Sequence, residues 1–179
     1  MEPPTVVVLC TGNAARSVMA GAMLTARGAP VRVVTAGTHV VEHQPMSVRT
    51  RAALVAVDLE VPAHRSHQLT EDDVAGATLI VAMEAAHVHY VRRRHPAGAD
   101  RTATIHYLVE HLPGGADPLG DRVARLALAQ VAPEDQGQVD DPAGGEDDLY
   151  VSCAMELTAL VGLLVDRLGD PDLVGDAVG

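Results

Sequence analysis

The chain has 179 residues, 47% of them hydrophobic, which is enough for one domain with a sizeable apolar core. Its formal net charge of −11 argues against a nucleic-acid partner and against an anionic membrane partner. Two cysteines are too few for a disulfide framework, and no basic segment precedes an apolar stretch near the start, so no secretory signal is predicted. We therefore expect a cytoplasmic protein.

The first 27 residues predict a buried strand, a short loop and a helix. Val6–Leu9 form a continuous aliphatic run, which is typical of a parallel strand covered on both faces. The segment from Ser17 to Arg27 is rich in Ala, Met and Leu and favours a helix that ends at Gly28. A loop between a strand and a helix N-terminus presents free backbone N–H groups beside the positive end of the helix dipole. The stretch therefore predicts an anion site.

The loop itself carries a nucleophile and a cation. Cys10 and Arg16 stand six residues apart, so a thiolate and a bidentate guanidinium would meet on the same oxyanion. Gly12 and Asn13 tolerate positive φ, which lets the loop curl round the anion. The competing interpretation is a buried structural cysteine in a tight turn, with Arg16 a solvated residue at the start of the helix.

Strand and helix patterns alternate through the next part of the chain. Thr70 with Asp73 three residues later is a variant of the capping box and predicts the start of a short helix. The apolar runs predict further buried strands, and Pro96 ends the helix that follows the third strand. The elements predicted in this part are a strand at 31–35, a helix at 46–57, a strand at 78–83 and a helix at 84–94.

The C-terminal part predicts an insertion and a final helix. Residues 113–139 contain a helical pattern at 121–131 between two turn-rich segments, which indicates an inserted helix on the surface or a lid beside the site. Residues 154–168 are apolar but carry Glu156, Asp166 and Arg167, and the run is too short to span a bilayer. No membrane association is predicted.

The sequence CTGNAARS resembles the signature loop of the low-molecular-weight protein tyrosine phosphatases, which share their fold with a class of arsenate reductases. The chain differs from the usual family pattern at Ala15, where a second cysteine is common, and at Val18, where proline is usual. Further likenesses run from Thr5 to about Leu168: TAGT after the second strand, LTEDD, LIVAME and His87. The resemblance implies a single three-layer α/β domain spanning residues 1–179, with a central four-stranded parallel sheet flanked by helices. The phosphate-binding loop would follow the first strand.

The resemblance also implies which residues act. The family uses an aspartate directly before a proline to protonate the leaving oxygen, and both Asp117 and Asp141 precede a proline here. Only Asp141 is followed by Gly-Gly, acidic residues and Tyr150, so it is the predicted general acid. The predicted catalytic residues are Cys10, Arg16 and Asp141, and the predicted substrate-binding residues are Thr11, Gly12, Asn13, Ala14, Ala15 and Ser17.

The resemblance implies a phosphatase that hydrolyses phosphomonoesters through a cysteinyl-phosphate intermediate, with no metal and no other cofactor. Protein phosphotyrosine is the expected substrate, and a small phosphoester is the other class considered. Ala143 stands where the family often has a tyrosine, which removes an aromatic contact worth about 0.5–1.5 kcal/mol. The sequence does not determine the oligomeric state.

Three alternatives remain open at this point. An arsenate reductase could use Cys10 with an external small thiol, because Ala15 removes the nearest second cysteine and Cys153 is expected to be a buried apolar residue. A non-catalytic phosphate-sensing module is the second alternative. The third is a metal site, since three histidine pairs have the spacing of metal ligands, although solvated or capping histidines explain them better. These pairs are His39 with His43, His64 with His67, and His87 with His89.

Overall fold

A computed structural model describes residues 2–169 and contains a four-stranded sheet whose described pairings are all parallel. The order across the sheet is β2-β1-β3-β4. The strands are β1 Thr5–Cys10, β2 Arg32–Gly37, β3 Leu79–Ala82 and β4 Thr102–Thr104. The predicted fold class is confirmed: one α/β domain with a parallel sheet flanked by helices.

The α-helices of the described part, in chain order, are α1 Arg16–Ala26, α2 Val48–Ala56, α3 Glu71–Gly76, α4 Ala85–Arg94, α5 Ile105–His111, α6 Leu119–Ala124 and α7 Asp147–Leu168. Short 3₁₀ helices cover Pro96–Arg101, Leu128–Gln130 and Pro133–Asp135. The predicted capping box is confirmed, because Thr70 accepts from the Asp73 N–H while the Asp73 carboxylate accepts from the Thr70 N–H. Helix α2 is capped by Ser47 and is shorter than its sequence pattern.

Strand β1 lies inside the sheet, with β2 on one side and β3 on the other. Successive side chains on a strand point to opposite faces, so Val6 and Val8 enter one core while Val7 and Leu9 enter another. The larger core holds side chains of α1, α5 and α7, and the smaller one holds side chains of α3 and α4. Burial on both faces explains the uninterrupted aliphatic run of this strand and leaves its carboxyl end as the place for a site.

Helix α7 is 22 residues long, and by length and composition alone it could cross a bilayer. The helix is longer than the apolar run at 154–168, because it begins earlier, with an acidic first turn that contains Asp147 and Asp148. Its residues Leu157, Val161 and Leu164 are buried in the larger core. The helix therefore packs as the core helix of a globular domain does, and its apolar length is weak evidence for a membrane.

The segment 113–139 differs from its sequence pattern. The sequence pattern predicts a helix over 121–131, but α6 covers only Leu119–Ala124. Ala127 has φ of 49°, a left-handed conformation that interrupts the helix, and two 3₁₀ turns follow. That this segment is an insertion stays a prediction.

Candidate active site

The loop at the carboxyl end of β1 is shaped by a close approach from β2. A Cβ atom on Gly37 would lie 2.5 Å from Thr11 O and 2.9 Å from Asn13 N, so any larger residue would push against the loop backbone. Just beyond Gly37, the N–H groups of Thr38 and His39 donate to Cys10 O at 3.0 Å and to Thr11 O at 2.9 Å. The end of β2 and the loop are therefore one packed unit.

Asn13 organises the interior of the loop. Its backbone is left-handed, with φ of 50°, and its side chain is fully buried. Its Oδ1 accepts from the His67 N–H at 2.9 Å, so its Nδ2 is the atom that donates to Ser17 Oγ at 2.9 Å. Because Ser17 Oγ already accepts this bond, its hydroxyl hydrogen is free to be donated to Cys10 Sγ, 3.0 Å away. A hydroxyl in this position stabilises a thiolate.

Two carbonyl groups of the loop accept hydrogen bonds from side chains outside it. His64 Nε2 donates to Asn13 O at 2.8 Å, and the Thr50 hydroxyl donates to Ala14 O at 2.7 Å. The N–H groups of residues 12–15 have no acceptor within the part of the chain that the structure describes. These free donors beside the N-terminus of α1 provide an anion site.

Arg16 is the most constrained cation of the site, with only 2% of its side chain exposed. Its Nη1 donates to Glu84 and, at 2.9 Å, to Val139 O. Its Nη2 lies 3.1 Å from Asp141 Oδ2. Sequence reasoning did not single out Glu84 as a site residue. It follows β3, next to β1 in the sheet, and the meeting of strand ends at one edge is the signal that could have found it.

The structure brings Asp141, and not Asp117, to the loop. Val139 is fully buried and its N–H donates to Met83 O at 2.8 Å, which fixes the segment two residues before Asp141. Asp141 itself is 43% exposed and its Oδ1 accepts from the Ala143 N–H at 3.0 Å. Asp117 instead pairs with Arg125 at 2.6 Å. Of the two aspartates that precede a proline, Asp141 is thus the one that reaches both solvent and the loop.

His87 supports the loop from α4. Its ring is buried, and desolvation together with the nearby Arg16 charge lowers its pKa from 6.5 to about 3. The Met83 N–H, which can only donate, points at Nδ1 from 3.4 Å, so the ring proton is on Nε2. That proton is donated to Thr11 Oγ1 at 2.9 Å. His87 is therefore a neutral donor that holds Thr11.

Cys153 lies on α7 and is buried in the larger core. Burial raises the pKa of its thiol to about 12. At neutral pH it stays protonated, as expected of a cysteine used as a small apolar residue. It therefore lacks the thiolate that a second redox cysteine needs.

The loop opens into a cavity of about 110 Å³. Most of its lining side chains are small or polar, with one aromatic residue: Cys10, Gly12, Ala14, Ala15, Arg16, Ser47, Asp141, Ala143 and Tyr150. All three predicted catalytic residues line it. Of the predicted binding residues, Gly12, Ala14 and Ala15 line the cavity. Thr11, Asn13 and Ser17 do not line it, and their side chains hold the loop in shape by hydrogen bonds. Ser47 was not found from the sequence.

The histidines considered as metal ligands have other partners. His64 bonds to the loop, His67 Nε2 lies 2.8 Å from Asp73 Oδ2, and His89 Nε2 lies 2.5 Å from Glu134 Oε1. Among residues 2–169, no group of three or more His, Cys, Asp or Glu side chains is arranged to hold a metal ion. The rings of His39 and His87 are hydrogen-bonded to Thr38 and Thr11, so the side chains of five of the six histidines have partners within the fold.

Comparison with known proteins finds similar sequences and similar structures. The family model described as low molecular weight phosphotyrosine protein phosphatase matches residues 5–171. The chain is 30% identical over 167 residues to a protein-arginine-phosphatase of Geobacillus stearothermophilus, covering 93% of this chain and 97% of that protein. It is 33% identical over 106 residues to a probable low molecular weight protein-tyrosine-phosphatase of Ralstonia nicotianae, covering 59% of this chain and 71% of that one. A solved arginine phosphatase from Geobacillus stearothermophilus has a TM-score of 0.76 at 29% identity, with 93% of each chain covered.

Proposed function

Since the chain belongs to the low molecular weight phosphotyrosine protein phosphatase family, we propose that it is a cytoplasmic protein phosphatase that works through a cysteinyl-phosphate intermediate. The observation that carries the proposal is the shared cavity of Cys10, Arg16 and Asp141 at the end of β1. This arrangement supplies a nucleophile, an oxyanion donor and an acid to one bound group.

In the first step, the Cys10 thiolate attacks phosphorus and forms a sulfur–phosphorus bond while the bond to the leaving atom breaks. Arg16 and the free N–H groups of residues 12–15 hold the three other oxygens as charge develops on them. Asp141 gives its proton to the leaving atom, which departs in protonated form, as a neutral phenol from phosphotyrosine or as a guanidinium from phosphoarginine. The products of this step are the released side chain and the cysteinyl phosphate.

In the second step, Asp141 is a carboxylate and takes a proton from a water molecule. The water oxygen attacks phosphorus, the sulfur–phosphorus bond breaks, and Cys10 leaves as the thiolate. Ser17 is placed to donate to that thiolate at 3.0 Å. Inorganic phosphate then leaves the loop, and the cycle returns to its starting protonation state.

We infer that protein phosphoarginine is the substrate class that the cavity supports best. Ala14, Ala15 and Ala143 give the cavity small side chains and little aromatic surface. Once it has given up its proton, Asp141 presents a carboxylate that can pair with the departing guanidinium group. The relative matched over nearly its whole length is named a protein-arginine-phosphatase. Phosphotyrosine, the class expected from the sequence, is the second candidate, because Tyr150 lines the cavity and offers one aromatic contact.

The test is hydrolysis of p-nitrophenyl phosphate and of matched phosphoarginine and phosphotyrosine peptides by wild type and by Cys10→Ser. We expect turnover in wild type, no turnover in Cys10→Ser, and a higher kcat/KM on the phosphoarginine peptide. Acid quenching during turnover should trap a phosphoryl group on Cys10, detected by mass spectrometry of its peptide. Phosphate release without any trapped or burst-phase intermediate would contradict the proposed mechanism.

Arsenate resembles phosphate in shape and charge, so the reductase alternative is tested in the same assays. An internal cysteine relay needs a second thiolate, which Cys153, with a pKa of about 12, does not supply. Arsenate reduction that depends on an external thiol, without hydrolysis of any ester, would replace the phosphatase proposal.

A further inference from the structure

A second depression lies beside the catalytic loop, with a volume of about 850 Å³. We call it the arginine groove. It runs between the segment after β2 and the C-terminal half of α4, and its lining includes His39, Val41, Gln68, Tyr90, Arg93 and Arg94. None of these residues lines the catalytic cavity.

The arginine groove is joined to the catalytic loop on two sides. On one wall, the N–H of His39 donates to Thr11 O at 2.9 Å, next to Cys10. On the other wall, α4 contacts the loop through His87, whose Nε2 lies 2.9 Å from Thr11 Oγ1. Arg93 follows His87 by six residues, a rise of about 9 Å along the helix. An extended peptide covers that distance with about three residues.

The groove is held in shape by its own hydrogen bonds. Gln68 Nε2 donates to Thr38 O at 2.9 Å and to the Tyr90 hydroxyl at 3.1 Å. Gln68 Oε1 accepts from the Val40 N–H at 3.0 Å. The rings of His39 and Tyr90 pack edge to face, with centroids 5.5 Å apart. A preformed groove binds a peptide without the cost of ordering itself.

The positive charges of the two arginines that line the groove are not neutralised by a partner among the described residues. Arg93 and Arg94 are exposed, and neither has an ion pair or hydrogen bond with the residues that the structure describes. The carboxylate of Glu71, also in the groove, lies 2.8 Å from His95 Nδ1 and is engaged there. The groove is thus a cationic surface on a chain whose formal net charge is −11. Both arginines lie in the last turn of α4, where a positive charge stabilises the helix through its dipole. Helix stability alone explains the presence of the two charges, but it does not explain why they line an open groove.

We propose that the arginine groove binds an acidic segment of the phosphorylated substrate protein, beginning about three residues from the phosphorylated side chain. The inference rests on the proposed phosphatase function and adds a sequence preference to it. Guanidinium groups pair with Asp and Glu carboxylates in a bidentate manner, and the exposed Val41 offers an apolar contact at the rim. Binding in the groove stabilises the bound substrate and the transition state equally, so it lowers KM and leaves kcat unchanged.

The experiment compares peptides that share one phosphorylated residue, chosen as the one that the enzyme hydrolyses. The first has three glutamates starting at the third position before that residue, the second has them after it, and the third has glutamine at all these positions. For wild type at low salt we expect KM to be about five- to tenfold lower for one acidic peptide than for the glutamine peptide. The difference should shrink as salt is raised, because both partners of the pair are exposed.

The double variant, Arg93→Gln with Arg94→Gln, should abolish the preference for the acidic peptide over the glutamine peptide. It should leave turnover of p-nitrophenyl phosphate unchanged. Arg51→Gln is the matched control, because Arg51 is exposed on α2 and does not line the groove. A thermal unfolding scan of each variant separates a loss of fold from a loss of docking. If the preference survives the double substitution, or if wild type hydrolyses all three peptides with equal KM, the docking proposal is wrong.

The same assays distinguish failure of docking from failure of the proposed function. Absence of hydrolysis of p-nitrophenyl phosphate and of every peptide would overturn the proposed function itself. Equal inhibition of wild type and of the double variant by the unphosphorylated acidic peptide would place acidic binding elsewhere on the surface. Concentration-dependent dimerisation that is lost in the double variant would show that a second copy of this chain binds in the groove, and would overturn the proposal.

Discussion

The carboxamide of Asn13 sets the direction of the Ser17 hydroxyl. Asn13 Oδ1 is occupied by the His67 N–H, so only its Nδ2 faces Ser17 Oγ, at 2.9 Å. The serine hydrogen is then left for Cys10 Sγ at 3.0 Å. A residue without a titratable group thereby determines how the nucleophile is stabilised.

This relationship predicts the result of Asn13→Asp. The introduced carboxylate still accepts from the His67 N–H but has no donor, so Ser17 turns its hydrogen toward that carboxylate and away from Cys10. We expect kcat to fall by about 10- to 100-fold, as for the loss of a hydrogen bond to a charged group. Ser17→Ala should cost a similar factor, and the loss in the double variant should be smaller than the product of the two single losses. Additive losses in steady-state kinetics would show that the two residues act separately.

The second prediction concerns the acid. Asp141→Asn removes the proton that the leaving group needs, and we expect kcat on the phosphopeptide to fall by about 10²–10⁴-fold. The loss on p-nitrophenyl phosphate should be smaller, because nitrophenolate leaves without full protonation. Asp117→Asn is the matched control, since Asp117 also precedes a proline but pairs with Arg125 at 2.6 Å. Equal losses in the two variants would remove Asp141 from the acid role.

His87 makes the stability of the fold depend on pH. Its pKa is about 3 in the folded chain against 6.5 for the free side chain, so between these values the unfolded chain binds a proton that the folded chain does not. The free energy of unfolding therefore decreases as pH falls from 6.5 toward 3, by at most about 1.4 kcal/mol per pH unit from this group. His87→Gln should make the decrease shallower, while the exposed His111→Gln should not. Urea unfolding at pH 7.5, 6 and 5 measures both slopes, and equal slopes in wild type and His87→Gln would contradict the prediction.

The cysteines predict a simple response to oxidation. Cys10 has Ala15 in place of a second loop cysteine, and Cys153 stays a buried thiol. Hydrogen peroxide should inactivate the enzyme without forming an intraloop disulfide, and Cys153→Ser should lose activity at the same rate as wild type. Peptide mapping under non-reducing conditions checks this directly. A Cys10–Cys153 disulfide that protects wild type would contradict it.

The fold and the loop between β1 and α1 could be predicted from the sequence. The aliphatic run of β1, the glycine and asparagine of the loop and the helix formers of α1 are local signals, and each led to the element that the structure contains. The choice of Asp141 over Asp117 also came from neighbouring residues. The structure places Asp141, but not Asp117, beside Arg16, and the acid role of Asp141 stays a prediction.

What the sequence missed depends on contacts between distant segments. Glu84 binds Arg16 across 68 positions, and the Thr50 hydroxyl binds Ala14 O across 36. The need for glycine at position 37 comes from the backbone of another strand, 2.5 Å from where a Cβ would be. Composition and periodicity contain no information on these distances, which are set only when β1, β2 and β3 are aligned in one sheet.

The 3.1 Å contact between Arg16 Nη2 and Asp141 Oδ2 has a consequence for substrate selection. The Asp141 carboxylate lies at the guanidinium edge that we expect a phosphoryl oxygen to contact. We expect a doubly charged phosphoryl group to compete with the Asp141 carboxylate for Arg16. A phosphodiester has a single negative charge and competes less well with Asp141 for Arg16. We therefore expect the ion pair to favour dianionic phosphoryl groups, those of phosphomonoesters and of phosphoarginine alike, over phosphodiesters.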